Sequence, residues 1–391
     1  MGQANLRLTL RAGGRRRSGV PMSVELPACR LAAARLVESP SGREVACQVL
    51  EGRLWWVIDD LPAGTTREYA VQPLPAEPAP AGERGVRLEQ TDDDRIDIGI
   101  GGQPFTSYVF APSCPGGHEI HRPYFFPVFG PGQVTMTRPF PLTREFPAHV
   151  QTDHPHHTSI WVAHGDVSGV DNWSAEAKAG WQVHRGFEAV VSGPAVGMFR
   201  ETLDWTTADR RPVLAETRTA RIWRLPADGR MLDLEVAFGA TCGAVVFGDT
   251  KEGGLCATRM RTEFRADEHG VAGVLVNSAG QSGEAAWGKP GQWVDCAGQV
   301  GELRLGYAIF DAPDNPRHPT TWHARTYGLL TANPFGWAAF QPDGPRGDLT
   351  LPADGRLTFR YRLYFHAGDA EQADVAGRYV DYAQPPAAEW G

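Results

Sequence analysis

The chain has 391 residues and a net charge of -8, from 38 Lys and Arg against 46 Asp and Glu. That balance argues against nucleic acid or an anionic membrane as the main partner, and the length makes two domains the default expectation. With 45 Gly, 31 Pro and 12 Trp and no long Ala/Leu/Glu/Lys stretches, the composition favours short strands and tight turns over helices.

The first residues, Met1 to Met22, hold five arginines (Arg7, Arg11, Arg15, Arg16 and Arg17) and no acid. Glu25 and Arg30 interrupt the stretch after Met22, so no apolar core of a signal peptide forms, and residues 1–22 are expected as a disordered tail. No apolar run approaches the roughly 20 residues that span a bilayer. The six cysteines (Cys29, Cys47, Cys114, Cys242, Cys256 and Cys296) lack C-x-x-C spacing, as expected of reduced, mostly buried thiols in a cytoplasmic protein.

Residues 23–72 alternate short apolar runs with turns, at Glu51-Gly52 and Leu61-Pro62-Ala63-Gly64, which predicts a small β-sandwich. No histidine precedes His118, so acid/base chemistry is not expected in this part. The Pro/Ala-rich stretch 73–85 is expected as a linker. From 86 to 391 the pattern predicts a large two-sheet sandwich. The proline-interrupted aromatic stretch Tyr124 to Phe129 is expected as an edge or wall segment. A hairpin is predicted around Ala227-Asp228-Gly229. The only helix expected runs from Asp369 to Ala383, opening on a capping-box-like Asp-x-x-Gln.

Four of the twelve histidines (His154, His156, His157 and His164) lie within eleven residues, with Asp153 and Asp166 at the ends and Trp161 between. Imidazole titrates near neutrality, so such density points to proton transfer or metal ligation before packing. If Thr158 to His164 is a strand, Ile160, Val162 and His164 share one face and Trp161 and Ala163 the other. Pro155 places the earlier histidines on the entering loop. Structural histidines bonded to neighbouring loops are the bland alternative. A metal enzyme with His154, His156 and His164 as ligands is another, although neither H-E-x-x-H nor facial-triad spacing occurs.

Two further polar segments lie C-terminal to these histidines. Asp249-Thr250-Lys251-Glu252-Gly253-Gly254 packs charges before two glycines that permit close backbone approach to a ligand. Asp311 to Arg325 adds Arg317, His318, His323 and Arg325 around Trp322, and Lys289 lies between Trp287 and Trp293. Aromatic faces mixed with Asp, Arg and His are what a sugar site needs: the rings stack on the pyranose while charged groups bind its hydroxyls.

The strings DHPHHTSIWVAHGDVSGVDNW, GDTKEGG, AWGKPGQWVDCAG and IFDAPDNPRHPTTWHARTYGLLTANPFG resemble the family called DUF6807, often labelled "methane oxygenase PmoA". The resemblance runs from about Arg122 to the C-terminal helix. Arg122, Asn172 and Cys296 depart from the family's usual Lys, Phe and aromatic residues at those places. The methane label does not carry over, because methane monooxygenase subunits are integral membrane proteins and this chain has no spanning segment. The resemblance implies a β-supersandwich similar to galactose-mutarotase-like proteins and an association with sugar catabolism. Mutarotase-like enzymes use a His acid and a Glu base on a pyranose.

The expectation is therefore an all-β carbohydrate-active enzyme, an epimerase, lyase or hydrolase, acting without a cofactor on a small-molecule or oligosaccharide substrate. His157 or His164 would be the general acid and Glu252 the general base. His154, His156, Asp166, Lys251, Lys289, Arg317, His318, His323 and Arg325 would bind substrate, with Trp161, Trp173 and Trp322 as stacking walls. A non-catalytic sugar-binding module is the remaining alternative.

Overall fold

Strand pairing organises nearly the whole chain. The computed structural model describes residues 6–27, 31–74, 84–111, 114–226, 229–270 and 272–391, and within them neighbouring strands run antiparallel. The main body is built on two large sheets. The first has nine strands in the order Lys289–Pro290, Thr321–Arg325, Leu329–Ala332, Gly253–Arg259, Ile160–His164, Tyr124–Val128, Gln103–Val109, Arg95–Ile100 and Val86–Asp92. The second has eight: Trp181–Val191, Val196–Thr206, Pro212–Trp223, Arg230–Gly239, Arg356–Ala367, Leu303–Asp311, Trp293–Val300 and Val274–Asn277. Ile98, Phe105, Ile160 and Val162 of the first share one core with Phe199, Leu232, Tyr307 and Leu363 of the second. The chain is an all-β sandwich, as its alternation predicts.

A second apolar layer covers the outer face of the nine-stranded sheet, built from Ile120, Tyr124, Leu142, Trp161, Trp173 and Leu329. Strands covered on both faces lose the half-exposed alternation. Ile160–His164 and Gly253–Arg259 are accordingly buried at every position. Ile160 and Val162 face the inter-sheet core while Trp161 and Ala163 face outward, as the period of two requires.

The aromatic stretch expected at an edge is internal instead. Tyr124–Val128 lies between Gln103–Val109 and Ile160–His164, and Pro127 falls at a register shift, where its missing N–H breaks no ladder bond.

The N-terminal stretch expected as a tail is ordered strand from Leu6. Its arginines misled because they alternate with Leu6, Leu8 and Leu10, the pattern of a strand with one polar face. Leu6–Arg11 joins a five-stranded sheet with Ala387–Trp390, Thr66–Leu74, Ala33–Ser39 and Glu44–Val45. Arg17–Glu25 pairs with Arg53–Leu61, which pairs with Cys47–Leu50. Leu8, Leu10, Val20, Trp56 and Tyr69 fill the core between these two sheets. Arg17 reaches Asp381 of the C-terminal helix at 2.6 Å.

Residues 75–83 of the expected linker, and Ala227 and Asp228 of the predicted hairpin turn, lie outside the described residues. The hairpin strands pair with Trp223 opposite Met231. The C-terminal helix is Val375–Ala383, shorter than expected. Asp369 and Gln372 do exchange side chain-to-backbone bonds, at 3.0 and 3.1 Å, but the helix begins only after Asp374 caps it.

Candidate functional site

The loop entering Ile160–His164 lies over the outward-facing Trp161. A turn closes it, His157 N donating to His154 O at 3.0 Å, with His154 in the left-handed region at φ 47°. A non-glycine residue there costs on the order of 1 kcal/mol, which the surrounding bonds must hold in place. Those bonds converge on Asp153. Its Oδ1 accepts from Arg138 Nη1 at 2.5 Å and Arg259 Nη2 at 2.7 Å, and its Oδ2 meets His154 Nδ1 at 2.6 Å. Burial alone would raise this carboxyl, but the His154 bond and the charges of Arg259 and Arg138 outweigh it and hold Asp153 well below the usual carboxylate range. An ionised carboxylate only accepts, so His154 Nδ1 carries a proton, and Nε2 is the bare nitrogen whenever the ring is neutral. The His154 side chain is 41% exposed.

His157 stands behind it at 1% exposure. Its Nδ1 faces Arg259 Nη1 at 3.2 Å. A guanidinium only donates, so Nδ1 must be a bare acceptor and the ring neutral. Burial, the neighbouring imidazoles and Arg259 push its pKa well below the ordinary value. Burial takes His156 down to about 3, with Arg122 adding to the effect. The rings form a stack: His154 lies 4.7 Å from His157 and 5.4 Å from Tyr327, and His157 lies 5.4 Å from Trp161. Tyr327 also receives the guanidinium of Arg259 at 4.5 Å and of Arg325 at 5.6 Å.

The lysine-glutamate turn comes to the same patch. Lys251 and Glu252 are ion-paired and half-exposed, and Glu252 acts electrostatically on Tyr327 as Asp153 does. His323, nearly fully buried, is pushed down to about 3 by desolvation and the charges of Lys251 and Arg325. Asp153, His154, His156, Lys251, Glu252, His323 and Arg325 thus gather around Tyr327, with His157, Trp161 and Trp173 as the floor.

Several expected site residues are elsewhere. His164 points into the inter-sheet core, 5.1 Å from Phe335 and 5.9 Å from Phe247, and its Nε2 donates to Gly248 O at 2.9 Å. Burial lowers its pKa to about 4. It neither shares a face with His154 and His156 nor completes a metal set with them. Among the described residues, no group of three or more His, Cys, Asp or Glu side chains is arranged to hold a metal. Trp322 is 0% exposed in the core with Nε1 donating to Gly291 O at 2.8 Å, and Trp161 and Trp173 are equally shut in, so none of them offers a stacking wall. Arg317 is spent on the carbonyls of Pro334, Gly347 and Asp348. His318 bonds Asp311 at 2.7 Å next to Tyr379 of the C-terminal helix. Asp166 caps a turn through Gly169 N. Lys289 is an exposed residue on the sheet's terminal strand. Gly253 and Gly254 admit protein rather than ligand: a Cβ on Gly253 would sit 2.6 Å from His164 Nδ1.

Asp153 as the hub, Arg138, Arg259 and Tyr327 were not foreseen. One signal was available, since Arg259 ends the strand Gly253–Arg259, whose other residues carry no charge, and a buried arginine demands a carboxylate partner. Nothing local named Asp153 as that partner. A cavity of about 1130 Å³ opens at the far edge of the same sheet, lined by Arg87, Asp97, Gln103, Ser107, Pro127 and Phe129 among others. It holds no histidine, and Arg87 and Asp97 there are paired with Glu89 and Arg95. Volume and the clustering of titratable side chains therefore point to different places: the cavity at the sheet's edge and the patch around Tyr327.

The fold and the patch define a two-sheet antiparallel sandwich with a polar, imidazole-rich site on its outer face. The pattern of the family described as "Family of unknown function (DUF6807)" matches residues 95–380, and the chain belongs to that family. No curated protein matches it. Among solved structures, the α-galactosidase from Lactobacillus brevis is similar over 79% of this chain and 42% of its own, at 10% identity and a TM-score of 0.35. This chain spans less than half of that protein's length. No described helix is long and apolar enough to cross a membrane.

Proposed function

We propose that the patch around Tyr327 is the active site of a carbohydrate-active enzyme in which His154 moves a proton. The observation that carries this reading is the Asp153–His154 pair: a 2.6 Å bond fixes the tautomer, and Nε2 is left on an exposed ring. General-base work needs that arrangement, and it contributes typically 10²–10⁴-fold. His157 and His164, expected as acids, are buried, neutral and directed at protein partners, so neither supplies a proton at neutral pH. They pack rather than react. Glu252, tied to Lys251 at the rim, is the second proton-transfer group of the proposal.

A sugar fits the surroundings because partly exposed Tyr327 and Trp287 lie beside Asp, Glu, Lys and Arg side chains that bind hydroxyls. Hydrolysis is the weaker of the three reactions. It calls for a carboxylic acid kept protonated near neutrality, whereas Asp153 is clamped by two guanidinium groups. Proton abstraction, as in an epimerase or lyase, suits an exposed imidazole whose other nitrogen is held by a carboxylate.

The test is proton NMR of a sugar panel (neutral pyranoses, uronates and 3-keto sugars) in D2O with the purified protein. Wild type is expected to exchange or consume a ring C–H signal, His154→Asn to slow this by about 100-fold or more, and His164→Asn to leave it within about threefold. Equal rates in wild type and His154→Asn, or no change in any sugar, contradict the proposal.

A further inference from the structure

Resting on the reading above, we infer that the substrate carries a carboxylate, and that Arg325 is the residue that binds it. The cations at the patch differ in one respect. Arg138 and Arg259 share Asp153, Lys251 is paired with Glu252, and Arg122 is taken by the carbonyls of His156 and Ser174. Arg325 has neither a carboxylate nor a carbonyl partner among the described residues. Its guanidinium instead lies near two rings, 5.6 Å from Tyr327 and 5.8 Å from Trp287, and it is only partly exposed. Half-burying a cation without a counter-charge is unfavourable. Ring contacts restrain the fork but satisfy none of its five N–H groups.

A planar guanidinium fork matches a planar carboxylate with two parallel N–H···O bonds. A phosphate, tetrahedral and more highly charged, would call for further donors aimed at the same point, and Lys251 is already engaged. The placement suits the chemistry as well, since Arg325 and His154 meet at the same tyrosine. When His154 Nε2 takes the proton from the carbon bearing a carboxylate, the electron pair left behind delocalises onto the carboxylate oxygens. The two Arg325 N–H groups then face the developing charge, and delivery of a proton to the opposite face of that carbon by the carboxylic acid form of Glu252 completes an epimerisation, leaving His154 protonated and Glu252 ionised until solvent exchange resets both. A uronic acid is the simplest substrate of this class.

Binding of D-glucuronate, D-glucose and D-glucose 6-phosphate is measured by calorimetry on wild type, Arg325→Gln and Arg325→Lys, with thermal unfolding of each variant as the fold control. Wild type is expected to prefer glucuronate over glucose by about tenfold to a hundredfold, the range of a bidentate charged contact. Arg325→Gln should abolish that preference; Arg325→Lys, keeping the charge without the fork, should fall between. If Arg325→Gln does not fold, the Lys variant alone decides, by lowering the preference or leaving it intact. Glucose bound as tightly as glucuronate, glucose 6-phosphate preferred, or a preference that survives both substitutions overturns the inference and leaves the proposed sugar site standing. Absence of binding by all three probes counts against both.

Discussion

Replacing Asp153 by Asn removes the counter-charge shared by two guanidinium groups. The side chains of Arg138 and Arg259 are 0% exposed, whereas Asp153 is 38% exposed. Removing one partner of a fully buried pair costs ~3–5 kcal/mol. Solvent screens part of this interaction, and Arg138 keeps the carbonyls of Phe140, Gln151 and His154, so about 2–3 kcal/mol is expected. Urea unfolding at pH 7 measures it as a lower midpoint at unchanged slope. A pH signature accompanies the loss. The folded carboxyl lies below its unfolded value of about 4, so its contribution is complete above that pH and disappears as the pH falls through the folded value. Asp153→Asn should therefore lose stability less steeply than wild type below about pH 4. A cost under about 0.5 kcal/mol, as for an ordinary surface pair, would refute the account of Asp153 as hub.

Three further outcomes are expected from the same packing. Burial holds His156, His164 and His323 near pKa 3, 4 and 3 when folded, below the unfolded value of about 6.5. The unfolded chain therefore protonates first, and stability should fall as pH drops from about 6.5 towards 4, by up to ~1.4 kcal/mol per unit for each ring. Urea midpoints at pH 7, 6 and 5 check this, and a flat profile contradicts it. Gly253→Ala drives a Cβ to 2.6 Å from His164 Nδ1 and 3.1 Å from Asn333 Nδ2 and should cost about 1–3 kcal/mol, read by urea unfolding; an unchanged midpoint contradicts the packing. Trp322→Phe should cost about 1–3 kcal/mol through lost volume and the lost Gly291 bond, with sugar affinity unchanged in calorimetry; weakened affinity would restore Trp322 as a stacking wall.

The all-β sandwich was legible because alternation survives in strands such as Pro212–Trp223, where Leu214, Glu216, Arg218, Ala220 and Ile222 turn inward. It failed where tertiary cover removed the signal. Tyr124–Val128 looked like an edge because its prolines were visible and its neighbours in the sheet were not. In the histidine segment, the split between entering loop and strand could be read from Pro155. Roles could not be. Whether an imidazole is acid, base or packing depends on what faces each ring nitrogen. Arg259 at His157, Gly248 O at His164 and Asp153 at His154 decide it from across the fold or from one residue away. The tryptophans misled because stacking walls and core residues have the same composition, and burial alone separates Trp322 from partly exposed Trp287.

A crystal structure of the protein soaked with D-glucuronate tests the central claim most directly. The sugar is predicted against Tyr327, with a ring carbon or hydroxyl within about 3.2 Å of His154 Nε2 and its carboxylate on Arg325. Glucuronate seated instead in the cavity lined by Arg87 and Phe129, with nothing at His154, would contradict it.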